Sequence, residues 1–211
     1  MTRIKICGIT NLDDALMVIE TGADALGFIF VANTPRYIPP DQAAKIIDNL
    51  PPFITTVGLF VNAEQTAIET IADHCHLDVI QLHGDEPPEL CRALSRRSVK
   101  AFRVKDESSL SRLPDYHVNA YLLDTYVKRA MGGTGKVFDW NLAVKAKQYG
   151  WIILAGGLNP ENVGSAVRQV RPYGVDVSSG IEAAPGHKDP AKVKAFIRSV
   201  RVEEAKWKQS N

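Results

Sequence analysis

The amino-acid sequence predicts an α/β protein that folds as a single-domain (βα)8 TIM barrel of eight parallel strands. Eight short β-branched runs alternate with amphipathic helical stretches, and no two strand-like runs follow each other directly. Such alternation predicts parallel strands joined by right-handed crossovers. Eight similar units favour closure into a barrel. The alternative is an open doubly wound sheet with an extension, which would leave some units without a place.

Each predicted unit is a strand followed by a helix. The first four strands are predicted at 3–7, 24–30, 54–61 and 78–82, and their helices at 11–21, 40–50, 64–74 and 88–95. Thr10 or Asn11 supplies an N-cap for the first helix, and Gly22 ends it. Prolines stand at the entrance to the second helix, where a missing N–H costs little. These signals place the helices between the strand-like runs.

The last four units are predicted at 99–104 with a weak helix at 108–113, 120–124 with 140–148, 151–155 with 160–170, and 175–178 with 189–200. No change in composition marks a linker. Residues 1–202 are therefore expected to form the (βα)8-barrel catalytic domain. The polar residues 203–211 are expected to be a C-terminal tail that frays.

The long or glycine-rich segments follow strands, at 31–40, 124–139, 155–159 and 178–188, whereas helix-to-strand connections are short. In a (βα)8 barrel this asymmetry places the chemistry at the C-terminal ends of the strands. The segment MGGTGKVFDW has the glycine content of a mobile lid. Its Phe138, Asp139 and Trp140 are expected to anchor the helix that follows.

Composition and charge do not indicate a protein that binds nucleic acid or a membrane. The net charge is +1, and Lys and Arg are scattered, so no general attraction to polyanions is implied. The three cysteines show no CxxC spacing, which argues against a disulfide framework and a cysteine zinc site. Charged residues interrupt the N-terminal segment, and no apolar run reaches membrane-spanning length. A cytoplasmic protein is expected.

Two segments late in the chain predict a phosphate site. Gly156 and Gly157 follow the seventh strand, and Ser178, Ser179 and Gly180 follow the eighth. Glycines let backbone N–H groups approach an anion, serines add donors, and helix N-termini add partial positive charge. The loops after strands seven and eight are the usual phosphate locus of this fold. The alternative, that the glycines only make turns, would suit one such loop better than two.

Cys7 ends the first strand and is a candidate base or nucleophile. Strand alternation puts it on one face with Arg3 and Lys5, so that Lys5 lies beneath it. A nearby cation lowers a thiol pKa and favours the thiolate. Asp176, in the eighth strand, is expected to form a buried ion pair with Lys5, because a bare buried carboxylate would be too costly. The residues alone also allow a structural, buried cysteine.

Three further side chains follow strands and are candidates for the site. Asp124 ends the sixth strand after two leucines, a place where a carboxylate is either a cap or catalytic. His83 ends the fourth strand and either lines the pocket or caps the strand. Arg36 lies in the loop after the second strand. It is either an ordinary loop arginine or a residue whose planar guanidinium binds a substrate carboxylate through two hydrogen bonds.

These residues and their flanking segments resemble one family, phosphoribosylanthranilate isomerase. The resemblance runs from KICGIT, which begins at Lys5, to PGHKD, which ends at Asp189, nearly the whole chain. Between these two segments, seven others occur in the same order as in the family: GADALGFIF, PRYI, QLHGDE, LLDT, GGTGKVFDW, GGLNPENV and VDVSSGIE. So many segments in order are far more specific than any single motif.

The resemblance implies an Amadori rearrangement in tryptophan biosynthesis, the third step from chorismate. Its substrate would be N-(5-phosphoribosyl)anthranilate, its product 1-(o-carboxyphenylamino)-1-deoxyribulose 5-phosphate, and it would need no cofactor and no metal. Cys7 would be the general base at C2 of the ribose, and Asp124 the general acid at the ring oxygen. Arg36 would hold the anthranilate carboxylate, and the two glycine loops the phosphate. The active unit would be a monomer or a homodimer.

Three other functions use the same scaffold. A sugar-phosphate epimerase would want metal-binding histidines at strand ends, where only His83 lies. An indoleglycerol-phosphate synthase would want a catalytic lysine where this chain has Cys7. A non-catalytic sugar-phosphate sensor would keep the phosphate loops without needing an inward thiol opposite an inward carboxylate.

Overall fold

A computed structural model describes residues 1–125 and 138–209 and confirms the closed barrel of eight parallel strands. The strands are β1 (Arg3–Cys7), β2 (Ala25–Ile29), β3 (Thr55–Phe60), β4 (Val79–Leu82), β5 (Arg97–Val104), β6 (Ala120–Thr125), β7 (Ile152–Leu154) and β8 (Gly174–Val177). The helices are α1 (Leu12–Thr21), α2 (Pro40–Ile47), α3 (Gln65–His74), α4 (Pro88–Ala93), α5 (Trp140–Ala146), α6 (Val163–Val170) and α7 (Pro190–Gln209). After β8 a short antiparallel pair forms, β9 (Glu182–Ala184) and β10 (His187–Lys188).

The predicted capping of α1 is confirmed. The Asn11 side chain accepts a hydrogen bond from the N–H of Asp14, and Gly22 ends the helix in the left-handed conformation at φ 111°. α6 begins three residues later than predicted, at Val163. Asn159 Oδ1 first accepts the N–H groups of Glu161 and Asn162, which makes a separate turn before the helix.

The predicted helix at 108–113 is wrong. Two short 3₁₀ helices take its place, Glu107–Leu110 and Leu113–Asp115. Asp106 caps the first of them through the N–H of Ser108, and Pro114 lies in the second. Serine side chains that bond to nearby backbone, together with a proline, favour tight turns over a continuing α-helix.

α7 does not stop at 202, where the barrel domain was expected to end. It continues to Gln209, and both Glu203 and Glu204 are buried. Glu203 pairs with Arg168, and Glu204 with Arg201. Residues 203–209 therefore continue the helix, and Glu203 and Glu204 are packed against the rest of the chain.

Side chains of alternate residues fill the barrel interior. Among them are Val99, Ala101, Ala120, Leu122 and Ala155, which pack as one small cluster. A much larger apolar layer lies between the strands and the surrounding helices. The inward positions at the C-terminal ends of the strands are polar instead, and they form the candidate site. None of the helices in the described ranges is long and apolar enough to cross a membrane.

Candidate active site

Cys7 lies at the end of β1 above a buried ion pair, as predicted. Lys5 Nζ is 2.9 Å from Asp176 Oδ1, and the two side chains are only 9% and 8% exposed. β1 and β8 are direct neighbours, and their register sets Lys5 opposite Asp176. Gly27 on β2 leaves room for the group, because a Cβ there would lie 2.8 Å from Cys7 Sγ. The predicted pair beneath the thiol is therefore confirmed.

The expected lowering of the Cys7 pKa is wrong. Burial raises the pKa of this thiol, and the opposing effect of the Lys5 ammonium does not overcome it. Asp176 adds to the rise, while Lys188 acts against it. Burial alone would lower the pKa of Lys5, but Asp176 and Cys7 raise it above its ordinary value. A cation does lie beside the thiol, yet the carboxylate that neutralises it and the loss of water leave the thiol protonated in the free site.

Arg36 makes its bidentate contact with a protein carboxylate. Its Nε and Nη2 donate to the two carboxylate oxygens of Glu182, at 2.8 and 2.6 Å. Lys188 Nζ, fully buried, donates to the same carboxylate at 2.9 Å and to the carbonyl of Cys7 at 2.7 Å. Burial opposes ionisation of Glu182, but Arg36 and Lys188 outweigh it and lower its pKa. The network fixes the Arg36 guanidinium beside Cys7 and leaves the Nη1 edge for a ligand.

Asp124, His83 and Gln81 form a chain of side chains across the barrel mouth. His83 Nε2 lies 3.1 Å from Asp124 Oδ2, and His83 Nδ1 lies 2.9 Å from the amide nitrogen of Gln81. Asp124 Oδ1 also accepts the N–H of Thr125 at 2.7 Å. His83 therefore lines the site rather than merely ending its strand.

The loops after β7 and β8 have free donors that suit an anion. Gly156 and Gly157 have φ of 76° and 70°, a left-handed conformation in which N–H groups converge. The N–H groups of Gly157, Ser179 and Gly180 donate to no acceptor in the described part of the chain. Ser178 Oγ is buried and also lacks a hydrogen-bond partner there. A buried donor without an acceptor, such as the Ser178 hydroxyl, is costly unless a ligand uses it.

The glycines in these loops are required by close contacts. A Cβ on Gly156 would collide with Asp124 Oδ1, and one on Gly180 would collide with the carbonyl of Leu158. A Cβ on Gly8 would lie 2.8 Å from Arg36 Cδ and 3.1 Å from Ser178 Oγ. The two loops, the carboxylate and the arginine thus approach each other closely enough to contact one small ligand.

The predicted lid falls mostly outside the described residues, which exclude 126–137. Its last residues behave as expected. Phe138 is buried, Trp140 packs on the main apolar layer, and the Asp139 side chain accepts the N–H of Asn141 as the N-cap of α5.

The sequence prediction missed four residues that shape the site: Gln81, Gly27, Glu182 and Lys188. Strand alternation could have found Gln81, because it lies two residues before His83 and so faces inward with it. The same rule places Gly27 beside Cys7. Glu182 and Lys188 carried no signal, because only the turn between β9 and β10 brings them back to β1.

The fold and the site together define a (βα)8-barrel enzyme whose polar groups lie at the C-terminal ends of its strands. The sequence profile described as N-(5'phosphoribosyl)anthranilate (PRA) isomerase matches residues 4–199. A curated N-(5'-phosphoribosyl)anthranilate isomerase of Geotalea uraniireducens is 59% identical over 201 residues, which cover 95% of this chain and 99% of the relative.

Two solved structures agree with this match. One is a phosphoribosyl anthranilate isomerase in complex with reduced 1-(o-carboxyphenylamino)-1-deoxyribulose 5-phosphate; it is 45% identical, with TM-score 0.87, over 96% of this chain and 100% of that one. The other shows monomers generated from the dimeric isomerase of Thermotoga maritima, also 45% identical with TM-score 0.87 and the same coverage. The chain belongs to the N-(5'-phosphoribosyl)anthranilate isomerase family. It is an isomerase of tryptophan biosynthesis, as the resemblance implied.

Proposed function

We propose that this chain carries out the Amadori rearrangement of N-(5'-phosphoribosyl)anthranilate with Cys7 as general base and Asp124 as general acid. The observation that carries the proposal is the order of groups around the barrel. Asp124 on β6 is followed by the glycine loop of β7, the serine loop of β8 and Cys7 on β1. A sugar phosphate anchored at the two middle strands would have the acid on one side and the base on the other.

The chemistry needs a protonation and a deprotonation at different atoms of the sugar. Asp124 gives its proton to the ring oxygen, the bond from that oxygen to C1 breaks, and the nitrogen lone pair forms an iminium. The thiolate of Cys7 then takes the proton from C2, which the iminium acidifies, and an enolamine results. Uptake of a proton at C1 and release of the C2 hydroxyl proton give the ketone, so that no proton is consumed overall.

The raised pKa of Cys7 fits this order of events. A neutral thiol is the main form in the free site, because burial disfavours the thiolate. The iminium formed by ring opening brings a positive charge next to Sγ and favours loss of the thiol proton to solvent, which leaves the thiolate for the step that needs it. Lys5 and Lys188 lie close enough to assist.

The phosphate is assigned to the donors without acceptors. Gly157, Ser179 and Gly180 would supply N–H groups, and Ser178 its hydroxyl. Gly156 belongs to the same loop and lets it approach Asp124. Asp176 would act indirectly, through Lys5, rather than by contact with the substrate.

The function is tested by the loss of anthranilate-ester fluorescence when the protein is added to freshly generated phosphoribosylanthranilate. Turnover that saturates with substrate and is inhibited competitively by inorganic phosphate supports both the activity and the phosphate subsite. A protein that binds the sugar phosphate without turnover would instead be the sensor considered from the sequence.

The expected cellular location of such a biosynthetic enzyme is the cytoplasm.

We assign the anthranilate carboxylate to the free edge of Arg36. Glu182 uses Nε and Nη2, so the guanidinium is held in one orientation, with Nη1 left for the ligand. Arg36→Lys keeps the positive charge but loses the planar guanidinium with its two-sided hydrogen bonding. KM should therefore rise about tenfold while kcat changes less. Glu182→Gln should raise KM in the same direction, because it leaves the guanidinium less well fixed. Steady-state kinetics measure both effects.

Arg92→Lys, on the exposed side of α4, is the matched control for the arginine change and should behave as wild type. Unchanged kinetics in both Arg36→Lys and Arg36→Ala would show that Arg36 has only a structural role.

We also propose that the chain forms a homodimer through the N-terminal end of the barrel. Phe53 is 97% exposed there, beside a cavity lined by Pro52, Thr55, Asp78 and Arg97. Phenylalanine is among the residues enriched in protein–protein interfaces. The dimeric isomerase of Thermotoga maritima supports a second copy as the partner.

Phe53→Asp should turn a dimer into a monomer in sedimentation equilibrium. Its kcat should remain near wild type, because the site lies at the opposite end of the barrel. A wild-type chain that is monomeric at micromolar concentration would contradict the proposal.

A further inference from the structure

We propose that Gln81 is a positioning residue for the general acid: it selects the tautomer of His83 that donates a hydrogen bond to Asp124. This inference rests on the proposed role of Asp124. Gln81 is an inward residue of β4 and only 1% exposed, and its side-chain contact is with His83. Burial of an amide is costly unless it is hydrogen-bonded, so the contact of Gln81 with His83 is held in place.

The two hydrogen bonds of His83 determine each other. The Gln81 amide nitrogen can only donate, so His83 Nδ1, 2.9 Å away, accepts and carries no proton. In a neutral imidazole the proton then lies on Nε2, which faces Asp124 Oδ2 at 3.1 Å. The partner of one ring nitrogen thereby decides what the other nitrogen offers to the carboxylate.

This tautomer serves the step in which Asp124 gives its proton to the ring oxygen. The proton moves to the oxygen as the bond to C1 breaks, and Asp124 becomes a carboxylate. That carboxylate keeps two donors, His83 Nε2–H on Oδ2 and the N–H of Thr125 on Oδ1. Hydrogen bonds to a charged acceptor are about twice as strong as neutral ones, so they stabilise the product of proton transfer.

The opposite tautomer would hinder the same step. With the proton on Nδ1, the lone pair of Nε2 would face Asp124, and a protonated Asp124 would donate to His83 instead of to the substrate. His83 would then hold the proton in place. Gln81 prevents this arrangement through a single hydrogen bond.

The other groups near this chain do not select a tautomer. β3 presents Val57 and Leu59 to the interior, and both are apolar. Arg103 on β5 is in register with Asp124, but the side-chain hydrogen bonds of His83 in the described residues go to Gln81 and Asp124. Glu86 pairs with Lys100 and accepts the N–H of Gly84, away from the imidazole. Gln81 is therefore the group to test.

A double-mutant cycle separates positioning from packing. Gln81→Met conserves volume and removes both amide atoms, and kcat should fall about tenfold or more with KM within about twofold. In a His83→Gln background the same change should cost almost nothing further, because there is no tautomer left to select. The surface change Gln42→Met on α2 is the matched control and should leave kcat unchanged.

A two-bond ¹H–¹⁵N spectrum reads the tautomer directly. At about pH 8, above the ordinary titration range of imidazole, wild type should show His83 protonated on Nε2. Gln81→Glu, whose carboxylate only accepts, should move the proton to Nδ1. The His83 signal is the one of five that disappears in His83→Gln.

Two results would overturn the inference: an Nδ1–H tautomer in wild type, or an equal loss of kcat from Gln81→Met in both backgrounds. Failure of the proposed function has a different signature. Wild-type kcat in Asp124→Asn would remove the acid role itself, whatever the tautomer of His83.

Discussion

Cys7→Ala should lower kcat by at least about a hundredfold, with little change in the free energy of unfolding. The thiol is the inward group at the end of β1 above Lys5, and alanine at this place has no atom that can take the C2 proton. Loss of one positioned base costs roughly 10²–10⁴ in rate. Cys7→Ser should be nearly as poor, because an alcohol gives far less anion than a thiol. Single-turnover fluorescence separates this chemical step from binding.

Asp124→Asn should cause a loss of similar size, because an amide cannot give a proton to the ring oxygen. If the acid and the base act as a unit, the double variant should be much less than multiplicatively worse. Cys75→Ala, at the end of α3, is the matched control, since Cys75 is another buried free cysteine that lies away from the strand ends. Near-wild-type turnover in Cys7→Ala would contradict the mechanism and favour a sensor.

The fold could be predicted because its signals are local and repeat. Short β-branched runs, Asn11 and Gly22 at the ends of α1, and prolines at the start of α2 each act over a few residues. The buried pair of Lys5 and Asp176 is a longer-range prediction that also held. It needed only the two-residue alternation of strands and the closure that makes β1 and β8 neighbours.

The failures have non-local causes. The Glu182 partner of Arg36 was missed, because it lies on β9, 146 residues further along the chain. The Cys7 pKa was read from the sign of one neighbour, but burial and Asp176 outweigh Lys5. α7 was predicted to end where the sequence turns polar, yet Glu203 is buried against Arg168 and Glu204 accepts the N–H of Thr2, two partners that are distant in the sequence. Local patterns carry no record of such partners.

Replacing one member of the pair beneath Cys7 should destabilise the fold strongly. Lys5→Met leaves the Asp176 carboxylate buried without its cation, and an uncompensated buried charge costs roughly 3–5 kcal/mol. Asp176→Leu should cost a similar amount by isolating the ammonium. The double variant, Lys5→Met with Asp176→Leu, should recover most of the stability, because an apolar pair needs no compensation. It should not recover kcat, since Cys7 loses its neighbouring cation. Urea unfolding of the four proteins measures the coupling.

The matched control for this cycle is the surface pair of Lys145 and Glu107. Its Nζ–Oε2 distance is 2.8 Å, close to that of the buried pair, but the side chains are 51% and 69% exposed. Glu107→Gln should therefore change the free energy of unfolding by less than about 1 kcal/mol, because water and salt screen the charge that remains. The contrast isolates burial as the cause, since distance and charge are alike in the two pairs. A Lys5→Met protein within about 1 kcal/mol of wild type would mean that Asp176 takes up a proton, or that water reaches it, when its partner is removed.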